Sequence, residues 1–199
     1  MISFRIGKRF VVVLVAIICF FAAPSGWTQS KQTEDNTLAT SIKQKLEKWI
    51  GQKAPSFNLD LLDGGKIHSD TLKRNTYLLY FWYSGCPPCL KTSPYLPVLQ
   101  EDYSDYGFTL VAVNADHFLE LETTDDEISD YVKKQKYNFP VAHLDKELND
   151  AYGQIEVFPT FFFVNEEGII DTVRFGFQSR RVLTGDIEEL IRTKEKGRK

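Results

Sequence analysis

The sequence predicts an α/β domain in which a central mixed sheet is flanked by helices. Three observations lead to this prediction. Apolar runs typical of buried strands alternate with segments of helical spacing. One strand, helix and strand follow each other as a βαβ unit, and a turn sequence near the C-terminus joins two further strands. With 199 residues, 43% of them hydrophobic and 26% charged, the chain has the composition of one soluble domain.

The formal net charge of −3 excludes one class of partner. Proteins that bind nucleic acid carry a basic patch or stripe that neutralises phosphates, and this chain has an acidic excess. We therefore expect no nucleic-acid partner.

Residues 1–25 have the pattern of a secretory signal peptide. Arg5, Lys8 and Arg9 precede an uncharged apolar run over residues 10–23, and small residues follow it. As a helix, this run would span about 21 Å, which is short of the roughly 30 Å of a bilayer's hydrocarbon core. Cleavage is therefore favoured, with a membrane anchor through residues 10–23 as the alternative. The chain is expected to be extracytoplasmic, in the periplasm or on the outer face of the cytoplasmic membrane.

Residues 26–50 are predicted to form a tether and a short helix ahead of the domain. Residues 26–38 are polar and without pattern, whereas Ile42, Leu46, Trp49 and Ile50 fall at helical spacing. The domain itself is predicted over residues 51–199. It opens with an extended segment over 51–59 and a glycine turn at 63–65, which together indicate a hairpin or an edge strand.

The next elements form the βαβ unit. Residues 77–82 and 108–114 are continuous aromatic and aliphatic runs, as expected of parallel strands that are buried on both faces. Between them, residues 87–103 show helical spacing, and Pro94 and Pro97 predict a bend in that helix.

The C-terminal half is predicted to hold a central α/β insertion and a closing hairpin. The insertion comprises a helix over 123–136, a strand around Val141 and a helix over 144–152. Two strands, over 160–165 and 169–175, flank a turn, and a terminal helix covers 184–194. No internal repeat is visible.

The candidate chemistry lies in a C-x-x-C pair formed by Cys86 and Cys89, because Cys19 belongs to the apolar run of the signal. The pair falls where a buried strand gives way to a helix. A helix N-terminus presents free N–H groups and a partial positive charge, which lower the pKa of a thiol from about 8.5 towards about 7. Cys86 is thus the expected nucleophile, and Cys89 is the expected resolving thiol that attacks the mixed disulfide.

Metal binding is the other chemistry of such a pair. A structural zinc site needs four ligands, the chain has no second cysteine pair, and His68, His117 and His143 are scattered singly. We therefore predict no resident metal. Two thiolates can hold Cu(I), so a copper-binding chaperone stays open as a non-enzymatic alternative.

The motifs together resemble the thioredoxin fold, and within it the TlpA/ResA-like extracytoplasmic thiol-disulfide oxidoreductases. The resemblance covers residues 51–190. It is carried by four motifs, which are Ala54-Pro55-x-Phe57-x-Leu59, Phe81-Trp82-x-x-x-Cys86-Pro87-Pro88-Cys89 with Pro94 beyond it, Asn138-Phe139-Pro140-Val141, and Val157-Phe158-Pro159-Thr160.

The resemblance implies a cis Phe158–Pro159 bond facing the disulfide, with Phe158 offering its backbone to an extended substrate. Trp82 and Phe158 are the aromatic residues that we expect to contact substrate. The implied partners are a disulfide-containing protein substrate and a membrane thiol-disulfide electron donor, and no dissociable cofactor is implied. The predicted activity is the reduction of protein disulfides through Cys86 and Cys89.

Three positions depart from the family pattern. Gly85 stands where a tryptophan commonly precedes the first cysteine, Tyr80 where cytoplasmic thioredoxins carry a buried aspartate, and Thr92 where ResA-like proteins often carry a glutamate. The usual acid-base helpers are therefore missing. A peroxiredoxin-like peroxidase shares the Ala-Pro-x-Phe opening, but Tyr83 occupies the place of the threonine that it would need.

Overall fold

The computed structural model describes the backbone of residues 26–197 and the side chains of residues 37–192. The predicted signal segment, residues 1–25, lies outside the described residues. In chain order the helices and strands are α1 Gly26–Glu47, β1 Asn58–Asp60, β2 Lys66–His68, β3 Thr76–Trp82, α2 Pro87–Thr92, α3 Leu96–Tyr103, β4 Phe108–Asn114, α4 Asp125–Lys134, β5 Val141–His143, α5 Lys146–Ala151, β6 Thr160–Val164, β7 Ile170–Phe175 and α6 Arg180–Gly197. Within the described part of the chain, residues 41–197 form one compact unit. Among the described helices, none combines the length and the apolar character that crossing a membrane requires.

Five strands form the mixed sheet that the sequence predicts, in the order β5-β4-β3-β6-β7. Strands β3, β4 and β5 run parallel, and β6 and β7 run antiparallel to their neighbours. In the register, Tyr80 of the central strand pairs with Ala112 on one side and with Phe161 on the other. The central strand, β3, is the one that leads into the cysteine pair.

Every residue of β3 is buried, which confirms that its continuous apolar run marks a strand covered on both faces. Because side chains alternate along a strand, β3 contributes to two cores. Leu78, Tyr80 and Trp82 pack in the core that includes residues of α3, α4 and α6. The other core contains the remaining apolar residues of β3 and residues of α5 and of the β1–β2 hairpin.

The helix after β3 bends where its two prolines predict a bend. Helix α2 ends at Thr92, residues Ser93–Tyr95 form a 3-10 turn, and α3 begins at Leu96. Each proline lacks the amide that a continuous helix would use for its hydrogen bond to the preceding turn. The helix that begins at the cysteine pair is consequently only six residues long.

The predicted central insertion supplies an edge of the sheet. Helix α4 begins at a capping box, in which Glu127 N donates to Thr124 Oγ1 and the Glu127 carboxylate accepts from Thr124 N. These hydrogen bonds hold the pKa of Glu127 below its ordinary value. Strand β5 then pairs with β4 through Ala112 and Val141. The hairpin of β1 and β2 adjoins this edge through a bridge between Leu61 and Ala142.

Two helix ends differ from the sequence predictions. The tether expected over residues 26–38 is wrong, because α1 already begins at Gly26. A polar helix lacks the apolar stripe on which periodicity depends, so its sequence shows no helical signal. Helix α6 similarly begins at Arg180, before the predicted residue 184. The predicted apolar part of α1 behaves as expected, since Leu46 packs against the core.

Candidate active site

The cysteine pair lies at the junction of strand and helix that the sequence predicts. Cys86 is the N-cap residue of α2, Pro87 occupies the first helical position, and Cys86 and Cys89 form a disulfide with their Cα atoms 5.2 Å apart. The backbone N–H of Cys89 donates to Cys86 Sγ at 3.1 Å. A free N–H of the first helical turn therefore points at the sulfur, which is the contact that favours a thiolate at this position.

The two sulfurs differ little in exposure. Cys89 is fully buried, as expected of the resolving residue, but Cys86 is also only 1% exposed in the disulfide form. The residues on either side of Cys86, Gly85 and Pro87, are exposed. One helical turn further, Leu90 is 42% exposed. Cys86 therefore lies just beneath an exposed and largely uncharged surface.

A buried carboxylate holds the loop that leads to Cys86. Asp116 is fully buried, and its Oδ1 accepts from Ser84 N at 2.7 Å and from Asn114 Nδ2 at 3.2 Å. Its Oδ2 has no hydrogen-bond partner among the described residues. We did not identify Asp116 from the sequence, although its place just after a predicted buried strand was a usable signal, since polar residues there reach the sheet edge that carries the site.

Thr92 links the end of α2 to the segment after β7 through hydrogen bonds. Its buried hydroxyl donates to Pro88 O at 3.1 Å and accepts from Gln178 N at 3.3 Å. The side chain that replaces a family glutamate is thus fully engaged by backbone groups. Phe177, the residue before Gln178, is 47% exposed.

Tyr80, at the place of the buried aspartate of cytoplasmic thioredoxins, is also neutral. Burial raises the pKa of its phenol well above the ordinary value, so the group carries no charge at physiological pH. Its ring packs against Phe161 and Trp82 within the core.

The proline loop lies at the same edge of the sheet. The Phe158–Pro159 bond is cis, as the resemblance implied. Because Phe81 pairs with Thr160, Pro159 is next in register to the end of β3. The Pro159 carbonyl accepts from Gly176 N at 2.8 Å. The half-buried rings of Phe158 and Tyr83 meet edge to face, with centroids 5.4 Å apart.

The expected contact between Trp82 and substrate is wrong. Trp82 is fully buried, and its ring lies against Tyr131 and Tyr137 at centroid distances of 5.0 and 6.0 Å. It belongs to the core between the sheet and α4. The following residue, Tyr83, is the aromatic residue at the surface, because the chain leaves the sheet at this point.

The spacing of the three histidines in the sequence suggested that each is isolated, but two of them lie together in the structure. His68 stands alone in β2, but His117 and His143 lie with their ring centroids 5.1 Å apart. The pair was hidden because β4 and β5 bring together residues from distant parts of the chain.

A disulfide of the C-x-x-C type at the start of the helix that follows the central strand, with a cis-proline loop at the same edge, places the protein among the thiol-disulfide oxidoreductases of the thioredoxin superfamily. Such enzymes act on disulfide-containing substrates.

Comparisons with known proteins agree with this class. The chain belongs to the AhpC/TSA family, whose model matches residues 50–173, and it is ResA-like within the thioredoxin superfamily. It is 34% identical over 145 residues to the thiol-disulfide oxidoreductase ResA of Bacillus cereus, covering 72% of this chain and 78% of that protein. ResA of Halalkalibacterium halodurans is also 34% identical, over 93% of this chain and 96% of its own length.

Solved structures show the same fold. A thiol:disulfide interchange protein of Chlorobium tepidum superposes with a TM-score of 0.64 at 26% identity, covering 71% of this chain and 97% of that one. StoA of Bacillus subtilis superposes with a TM-score of 0.57 at 28% identity, covering 67% and 97%.

The role of Asp116 can be tested by two substitutions. Asp116→Ala removes the acceptor of two N–H donors and is expected to lower the free energy of unfolding by about 2 to 4 kcal/mol. Asp116→Asn keeps an oxygen at Oδ1 and should cost less than half as much. Urea unfolding of the oxidised protein measures both changes, with exposed Asp105→Ala as the control that leaves stability unchanged. An Asp116→Ala protein as stable as the wild type would contradict this role.

Proposed function

We propose that this protein reduces disulfide bonds of other proteins outside the cytoplasm, with Cys86 as nucleophile and Cys89 as resolving thiol. The observation that carries the proposal is the placement of Cys86 Sγ at the N-cap of α2, where it accepts the Cys89 N–H. In this position a negative charge on the sulfur is favoured both when it attacks and when it leaves.

The exchange proceeds in two steps. In the reduced protein the Cys86 thiolate attacks one sulfur of the substrate disulfide, forms a mixed disulfide and releases the other substrate sulfur as a thiolate. The Cys89 thiolate then attacks Cys86 Sγ, closes the Cys86–Cys89 disulfide and releases the second substrate thiolate. Two electrons thereby pass to the substrate, and the disulfide form of the structure is the product state.

The proline loop supports a place for the substrate beside Cys86. An extended polypeptide can hydrogen-bond to free backbone groups, so we assign this role to the backbone of Phe158, with Pro159 as the clamp that fixes its position beside Cys86. Neither backbone group of Phe158 has a backbone hydrogen bond among the described residues. The half-buried ring of Tyr83 against Phe158 and the exposed side chain of Leu90 add apolar surface near Cys86.

Cysteine substitutions test the two roles. Cys89→Ser with a reduced Cys86 is expected to accumulate a mixed disulfide with a disulfide-containing protein such as insulin, because the resolving thiol is absent. Cys86→Ser should accumulate none and should be inactive. Non-reducing electrophoresis and mass spectrometry of the linked peptide give the result.

Other outcomes would favour the alternatives. A wild-type protein that is inactive with dithiol but binds one Cu(I) tightly would be a copper chaperone, since two thiolates suit that ion. Rapid consumption of hydroperoxide without reduction of insulin would favour a peroxidase.

The direction of the reaction depends on the reduction potential of the cysteine pair. We expect a reduction potential of about −270 mV, as in thioredoxin, which favours donation of electrons to substrates. Equilibration of the pair with glutathione or dithiothreitol buffers, followed by thiol alkylation, measures it. A reduction potential of about −120 mV, as in strong protein oxidants, would instead make the protein an oxidase.

The proposed site of action is the periplasm or the outer face of the cytoplasmic membrane, and it rests on residues 1–25. A membrane thiol-disulfide donor would re-reduce the Cys86–Cys89 disulfide, and residues 10–23 would anchor the chain if the signal is not cleaved.

Export can be measured directly. A fusion of residues 1–40 to a reporter that is active only outside the cytoplasm is expected to be active, because basic residues followed by an apolar run direct export. Replacement of Val12 and Val13 by Asp in the same fusion is the matched control and should abolish the signal. An intact but inactive wild-type fusion in the cytoplasm would refute the location.

A further inference from the structure

Two histidines from distant parts of the chain meet at the end of the sheet. His143 is the last residue of β5 and pairs in register with Asn114, the last residue of β4. His117 follows β4 by three residues. The two ring planes lie within 8° of parallel, with centroids 5.1 Å apart. The fold thus holds two imidazoles side by side at the carboxyl ends of parallel strands.

A carboxylate completes the cluster. Asp125, the first residue of α4, places its Oδ1 3.4 Å from His117 Nε2 and 3.6 Å from His143 Nε2. Each of the three side chains offers a ligand atom, and these atoms all lie within 4.8 Å of one another. We propose that His117, Asp125 and His143 bind a divalent transition-metal ion of the zinc type.

The separations fit such an ion better than they fit a simple ion pair. Charge-assisted hydrogen bonds between nitrogen and a carboxylate are usually about 2.7 to 2.9 Å long, so Asp125 is tightly bonded to neither ring. Zinc binds histidine nitrogen and carboxylate oxygen at about 2.0 to 2.2 Å in tetrahedral geometry, which puts neighbouring ligand atoms about 3.4 Å apart. The two distances from Asp125 Oδ1, 3.4 and 3.6 Å, are close to this value, and the separation of the two histidine ligand atoms is within 4.8 Å.

The chemistry of the ligands defines the class of ion. Two imidazoles and one carboxylate suit zinc and its late first-row neighbours, whereas magnesium and calcium prefer oxygen ligands alone. Three protein ligands leave one position of a tetrahedral ion to water. The site is separate from the cysteine pair, which is closed as a disulfide, and it goes beyond the proposed reductase function.

The surroundings of each side chain indicate which of its atoms would bind the ion. His143 Nδ1 is buried without a partner among the described residues, so Nε2, which faces Asp125, is the ligand atom. His117 Nε2 lies 3.1 Å from the Thr123 carbonyl, and metal binding would replace that hydrogen bond. The side chains of His117 and Asp125 are 47% and 59% exposed, so small rotations of both are open to them.

The test is a zinc titration of the full chain without a histidine tag, with Cys19 replaced by Ser and the Cys86–Cys89 disulfide oxidised so that no thiolate competes. After treatment with a chelator, isothermal titration calorimetry with ZnCl2 is expected to show one ion per chain. His117→Ala and Asp125→Asn should each weaken binding about tenfold or more, because the first removes an imidazole and the second replaces a carboxylate by a neutral amide that binds zinc weakly. His68→Ala is the matched control, since His68 is exposed and outside the cluster, and its affinity should equal that of the wild type.

Cobalt gives an independent readout of the ligand geometry. Co²⁺ in the same site is expected to show the visible absorption bands of a four-coordinate ion, and His117→Ala should abolish them. Circular dichroism of each variant verifies that it is folded, which is expected because both substituted side chains are exposed. Absence of zinc binding by the wild type, or equal binding by wild type, His117→Ala and Asp125→Asn, would overturn the proposal and leave the cluster as an ion pair only.

Discussion

The burial of β3 on both faces is the constraint on which the active site depends. Seven consecutive residues of this strand are excluded from water, between β4 on one side and β6 on the other. Such a strand cannot shift along its neighbours, because a slip by one residue would exchange the side chains of two cores. Its end at Trp82 is therefore fixed, and with it the point at which the chain turns into the cysteine loop.

Two neutral side chains replace family carboxylates near the redox pair, and one buried acid holds the loop before it. Tyr80 and Thr92, which stand at the places of family carboxylates, carry no charge, and Thr92 is occupied by backbone groups of Pro88 and Gln178. The buried carboxylate of Asp116 contacts the loop before Cys86 through the Ser84 amide. With these neutral replacements, the N–H of Cys89 is the clearest stabilising contact on Cys86 Sγ. Such a contact from the first turn of a helix favours a thiolate at Cys86.

The sequence predicted the parts of the fold that rest on apolar periodicity and on local motifs. The central strands, the bend at Pro94 and the helix-capping cysteine were all visible, because each signal lies within a few adjacent residues. The start of α1 was missed, since a polar helix has no stripe to detect. Trp82 was misassigned because the sequence does not show whether an aromatic residue at the end of a strand, close to the cysteine motif, faces the core or the surface. Asp116 and the histidine cluster depend on which strands become neighbours, and a single sequence does not show this.

The segment between β4 and α4 joins the two chemical features of this sheet edge. Asp116 holds the amide of Ser84 in the cysteine loop, and the next residue, His117, belongs to the proposed metal cluster. Asp125, at the far end of the segment, begins α4 and is the third proposed ligand. An ion bound there would tie both ends of the segment to β5 through His143. Asp116 directly precedes His117, so the carboxylate that supports the cysteine loop and the first proposed ligand lie in the same short stretch of chain, although the two sites share no ligand.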